Sequence, residues 1–136
     1  MEPEENKFKN NGLLINKAFF GKNTVLKIQY HKEKKQAYIH AGKKTLDAKW
    51  TWNKVKFSDS ELGMILNVLS GKTEKISFFH KFNGNKKQIW INKDNGILFF
   101  KIDDISKSLT LGEQEVMKIL LQKIILMMNL ESKSDW

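Results

Sequence analysis

From Trp50 to Lys101 the chain reads WTWNKVKFSDSELGMILNVLSGKTEKISFFHKFNGNKKQIWINKDNGILFFK, and this stretch decides the fold class. A strand is predicted from Lys49 to Phe57, in which Val55 and Phe57 share one parity, while Trp50, Trp52, Lys54 and Lys56 share the other. A strand repeats every two residues, so the two sets face opposite sides of a sheet. The set with the lysines is the solvent or ligand side, because two ammonium groups do not desolvate without partners. Ser58-Asp59-Ser60-Glu61 then supplies the hydroxyl and carboxylates that cap a helix start, and Leu62, Ile65, Leu66 and Leu69 recur at helical spacing up to Gly71. Beyond it, strands are predicted at Lys75 to Phe82, Lys87 to Asn92 and Ile97 to Ile102, with turns at Asn83-Gly84-Asn85 and Asp94-Asn95-Gly96.

Upstream, Leu13 to Phe20 is an apolar run that Gly21-Lys22-Asn23 ends as a turn. Val25 to His31 alternates, with Leu26, Ile28 and Tyr30 inward and Lys27, Gln29 and His31 outward. After a charged turn at Lys32 to Lys35, Gln36 to Ala41 places Ala37 and Ile39 inward and Tyr38 and His40 outward. A short strand near Ser106 to Leu109 precedes a final helix from about Gly112. The order is thus four strands and a helix, twice, and Phe57 to Glu61 enters the first helix much as Leu109 to Glu113 enters the second. An α+β fold built of two related sheets is predicted.

Residues 12–130 form the expected single domain, with repeats at 12–71 and 72–130. Residues 1–11, acidic and polar, are expected to be disordered, and residues 131–136 to be a frayed tail. The last helix carries Val116, Met117, Ile119, Leu120, Leu121 and Ile124 to Met128, apolar around most of its circumference. A surface helix needs one stripe, so part of it is expected at a subunit interface.

Charge points to the partner. Asn6 to Lys101 holds 20 lysines against six acids, whereas Met1 to Glu5 carries −3 and Ile102 to Trp136 carries −2, giving +9 over 136 residues. A positive field concentrated in the strand-rich part favours a polyanion, nucleic acid before membrane. All the basic residues are lysine, so the bidentate arginine fork that reads guanine in a duplex groove is missing and sequence-specific duplex readout is disfavoured. There is no cysteine, hence no disulfide and no thiolate chemistry. No apolar leader opens the chain, and the longest apolar run, Ile124 to Met128, is far short of a span, so a protein of the cytoplasm or nucleoid is expected.

Catalysis is not expected. His31, His40, His80, Asp103 and Asp104 lack metal-ligand spacing, no glycine-rich phosphate loop is present, and no serine sits in a nucleophile-elbow context. No metal or other cofactor is called for. What remains is a surface of interleaved aromatics and lysines. Trp50 and Trp52 in the first half, with Phe79, Trp90 and Phe99 in the second, offer faces to unstacked bases. Lys22, Lys27, Lys54, Lys81 and Lys101 neutralise phosphates, Gln29, Gln88 and Asn92 hydrogen-bond base edges, and Tyr38 and His40 lie on the same side. Phe78 and Phe79 cannot both point inward, and Phe79 is placed outward beside Lys81.

A family resemblance accompanies this reading. Lys49-Trp50-Thr51-Trp52, Val55-Lys56-Phe57-Ser58, Ser60-Glu61-Leu62-Gly63 and Ser77-Phe78-Phe79-His80 resemble, in order, the Tyr-Asp-Trp strand, Phe-Ala-Leu-Ser helix entry, Glu-Val-Gly helix and Glu-Phe-Phe-His strand of the plant Whirly proteins. Glu115-Val116-Met117-Lys118 resembles that family's Ala-Val-Met-Lys. Gly21-Lys22 falls where its Lys-Gly-Lys-Ala-Ala-Leu motif begins, although Asn23 and Thr24 replace the alanines and Phe20 the first lysine. Spanning roughly Gly12 to Leu130, the resemblance implies two four-stranded antiparallel sheets, helices that join protomers into a tetramer, and single-stranded DNA bound with little sequence preference. The fold is related to that of the transcription coactivator called positive cofactor four. RNA binding by the same faces, or a protein-adaptor role for the exposed aromatics, is the alternative.

Overall fold

The computed structural model describes residues 12–130, so the expectations for residues 1–11 and 131–136 lie outside the described residues. Among the described residues eight strands and two helices follow in the predicted order. They are β1 (Leu13–Phe20), β2 (Thr24–His31), β3 (Gln36–Lys44), β4 (Trp50–Phe57) and α1 (Asp59–Leu69), then β5 (Lys75–Phe82), β6 (Asn85–Asp94), β7 (Ile97–Ile102), β8 (Ile105–Leu109) and α2 (Leu111–Asn129). Each set of four strands forms its own antiparallel sheet in sequence order.

Turn chemistry sets the register differently in the two sheets. The β5–β6 and β6–β7 connections are two-residue Asn-Gly turns with both residues left-handed, Asn83 and Gly84 at φ 51° and 80° and Asn95 and Gly96 at 52° and 81°. Such turns match the twist of the strands they join, so the ladder runs up to the turn itself. That is why β6 begins at Asn85, paired with Phe82, and not at Lys87. The first sheet uses longer, lysine-rich connections, and β3 continues past Ala41 to Lys44 because Gly42, Lys43 and Lys44 pair with Trp52, Thr51 and Trp50.

Both helices start the same way. Ser58 and Thr110 each accept from the backbone N–H three residues on, while Glu61 and Glu113 return a carboxylate to the N–H of Ser58 and Thr110. A reciprocal pair of this kind satisfies two donors that a helix end leaves open. The core lies between the sheets' inner faces and the helices. Leu26, Ile28, Tyr30, Ile39 and Phe57 come from the first sheet, Ile89, Ile91, Leu98, Phe100 and Ile102 from the second, Leu62, Ile65 and Val68 from α1, and Met117, Leu121 and Ile124 from α2. α1 packs on α2 and on β5 and β6, and β8 packs against β2 and β3.

Polar contacts join the halves. Glu61, its other oxygen in the cap, reaches His80 Nε2 at 2.6 Å. Asn53 Nδ2 donates to the Ile102 carbonyl at 2.9 Å, and Asn53 Oδ1 accepts from Lys87 Nζ at 2.9 Å. On α2, Val116, Ile119 and Leu126 stay exposed. No helix among the described residues is long and apolar enough to cross a membrane.

Candidate nucleic-acid interface

Register fixes which side chains share each outer face. In the first sheet the rows Ala18–Lys27–His40–Lys54 and Asn16–Gln29–Tyr38–Lys56 run across all four strands, and Phe20–Val25–Gly42–Trp52 lies beside them. In the second, Ser77–Trp90–Lys101–Ser106 and Lys75–Asn92–Phe99–Ser108 do the same, with Phe79–Gln88 and Lys81–Lys86 completing the β5 edge. Among the described residues no carboxylate lies in the strands of the first face, while Asp94 ends β6 on the second and Asp103, in the β7–β8 turn, accepts from Gln88 N at 2.9 Å and stands 3.6 Å from Lys87 Nζ. Lysines outnumber the acids of the described residues on both faces, which gives each a positive potential.

Aromatic exposure follows parity. Trp50, Trp52, Phe79, Trp90 and Phe99 are all exposed, Phe79 the most at 56%. Phe78 turns inward, its ring edge-on to Phe57 at 5.8 Å. Lys27 Nζ sits 4.9 Å from the Trp52 ring centroid and Lys101 Nζ 5.1 Å from that of Trp90, so each sheet pairs a tryptophan face with an ammonium.

On the first sheet the rings form a connected layer. Trp50 stacks on Trp52 with centroids 6.0 Å apart and planes inclined by 27°. His40 lies edge-on to Trp52 and to Tyr38, 6.3 Å from each. Gly42 permits this: a Cβ there would stand 2.7 Å from Trp52 Cζ3, so only a residue without a side chain lets the indole lie on the strand.

One expectation is corrected. His40 has the predicted outward parity, but the Trp52 ring, the Tyr38 ring and the flanking lysines close over it, leaving the residue 8% exposed. Its Nε2 is buried without a hydrogen-bond partner. Burial first, then the charges of Lys54 and Lys27, push the imidazole down to about 4. Gln29 and Tyr38 are half-buried, the Gln29 amide donating to Asn16 Oδ1 at 3.1 Å and the Tyr38 hydroxyl to Gln36. Lys22 stands apart from the rows, exposed in the β1–β2 turn beside Asn23, whose carbonyl accepts from Lys44 N at 2.8 Å.

The structure adds Lys75, Ser77, Lys86, Ser106 and Ser108 to the second face, a placement that the two Asn-Gly turns and the two-residue Asp103-Asp104 turn would have yielded by counting across the strands. It also adds a lysine-rich rim to the first, at Lys43, Lys44 and Lys49 around the exposed Leu46. Among the described residues no His, Asp and Glu cluster that could hold a metal ion is found.

No protein-family model matches the chain, and no curated protein matches it. Among solved structures the chain is similar to the PH1012 protein of Pyrococcus horikoshii OT3, at 14% identity with a TM-score of 0.31, over 98% of this chain and 88% of that one.

Proposed function

We propose that this chain is a non-catalytic single-stranded nucleic-acid-binding protein with little sequence specificity, DNA being the preferred strand, as its resemblance to the Whirly family implies. The observation that carries the reading is the co-facial placement of exposed aromatics and lysines on both sheets. Rings stack on any base, each contributing about 1–3 kcal/mol, and lysines release counterions from phosphates. Lysine presents a point charge and no fork, which suits backbone contacts over base reading. Such a protein serves wherever strands are parted in the cytoplasm or nucleoid.

Association belongs to the same proposal. Val116, Ile119 and Leu126 of α2 form the exposed apolar surface through which protomers join, as a tetramer if the resemblance extends to assembly. Ile119→Asp with Leu126→Asp is expected to lower the mass measured by light scattering.

The test is fluorescence anisotropy of a labelled mixed-sequence single strand at two salt concentrations, with duplex DNA and single-stranded RNA as competitors. Tight, salt-sensitive binding that duplex does not displace supports the reading. Equal competition by RNA removes the preference for DNA, and stronger competition moves it to RNA. No binding at low salt overturns the reading and leaves the exposed aromatics to a protein partner.

A further inference from the structure

We propose that the row Lys27–His40–Lys54 is a phosphate seat: a backbone phosphodiester settles between the two ammonium groups and accepts from Nε2–H of a protonated His40, so that strand binding takes up one proton. This rests on the single-strand reading above and assigns the chemistry of one of its subsites.

Three observations meet at this row. His40 is paired with Lys27 on one side and with Lys54 on the other, so a nitrogen-bearing side chain stands at three successive positions across β2, β3 and β4. His40 Nε2 is buried and without a partner, and the other such side-chain atom among the described residues is Gln114 Oε1 on α2. A buried polar atom left unpaired costs free energy, and a site awaiting a ligand is one reason for a fold to retain it. Third, among the described residues the charged groups that face the imidazole are Lys54 from β4 and Lys27 from β2, with the Tyr38 ring from its own strand and no carboxylate.

The electrostatics of the unbound face explain why the seat is linked to protons. Burial and two like charges hold His40 neutral. A phosphodiester lodged between the lysines reverses the sign of the local field and supplies an acceptor, and both changes favour the imidazolium. By reciprocity, a proton on His40 then strengthens strand binding. The proton comes from solvent, and no covalent bond forms or breaks. Entry requires Lys27 to leave the Trp52 ring for the phosphate and Trp52 to tilt from Gly42, which turns the indole face toward the adjoining base.

The probe is a short oligothymidylate, since neither thymine nor the phosphodiester titrates between about pH 5 and 8, the window in which histidine switches. The wild-type protein is expected to bind it about tenfold tighter at pH 5.5 than at pH 7.5, and His40→Gln to bind equally at both. His31 and His80 remain in both proteins, so the difference reports His40 alone. Nitrogen-15 NMR of the unmutated protein supplies the second measurement, with the His40 imidazole titrating at higher pH when the oligomer is bound. An unchanged His40 titration, or a pH slope in His40→Gln equal to wild type, overturns the seat. Wild-type binding that ignores pH rejects the seat while leaving single-strand binding in place; absence of binding at every pH rejects both.

Discussion

The two outer faces are made of the same residue types and differ in how the rings stand. On the first sheet Trp50, Trp52, His40 and Tyr38 lean on one another, and Gly42 gives Trp52 a seat on the strand. On the second, Phe79, Trp90 and Phe99 make no ring contact with one another, and Gln88, Asn92, Ser77 and Lys101 stand between them. A connected layer is held in place before a ligand arrives, which lowers the ordering cost of binding but ties each ring to its neighbours. Separate rings keep their faces open, and in the proposed binding they would act one by one. Similar composition thus yields one face of connected rings and one of separate rings.

The largest expected effect tests that difference directly. Trp50→Ala with Trp52→Ala should weaken single-strand binding about 100-fold, with the two single changes failing to add by about 1 kcal/mol, whereas Trp90→Ala and Phe99→Ala should add. Titrations of the six variants decide it. Additive tryptophans would make the two sheets equivalent, and unfolding of the double variant would assign those rings to the core.

Stability against pH comes next, and it belongs to the first sheet. The folded His40 is held down to about 4, against about 6.5 for an unfolded histidine. The unfolded chain therefore binds the proton first. Its contribution is complete above the unfolded value and is lost as pH falls toward the folded one, by about 3 kcal/mol at most. Denaturant melts of wild type and His40→Gln at neutral pH and near pH 4.5 check it, the variant being expected to lose less. A smaller effect is expected of Gly42→Ala, whose Cβ would displace the Trp52 ring, at about 1–2 kcal/mol of stability and a shift in tryptophan emission. Smallest is Ser58→Ala against Thr110→Ala: each removes one reciprocal cap, and each should cost about 1 kcal/mol by thermal melting. Equal costs would show that the two repeats are closed alike at their helices even though their sheets differ.

Much of the fold was legible because its signals are local. The capping pairs Ser58/Glu61 and Thr110/Glu113, the Asn-Gly turns and the alternation of Val55 and Phe57 against Trp52 and Lys54 each act over a few residues. Parity also placed Trp50, Trp52, Phe79, Trp90 and Phe99 on the side where the structure leaves them exposed. The burial of His40 was out of reach for the opposite reason: its parity is outward as read, and its cover comes from Trp52 and Lys54 on one neighbouring strand, Lys27 on the other and Tyr38 on its own. The contacts of Asn53 with Ile102 and Lys87, and of Glu61 with His80, were equally out of reach, since each joins residues that only the packing of one half on the other brings together.

By itself the sequence determined the order of strands and helices, the face each strand turns outward, the helix caps and the concentration of positive charge, because periods of two and 3.6, turn residues and capping residues are properties of neighbours along the chain. Only the tertiary structure decided that Gly42 is the floor beneath Trp52, that an outward histidine is buried and neutral between two lysines, and that one face is a connected layer while the other is not. Those outcomes depend on cross-strand register and on which side chains close over which. In the second sheet two Asn-Gly turns fix the register locally, whereas the longer connections of the first leave it to weak pairings across the whole sheet, which no stretch of a few residues carries.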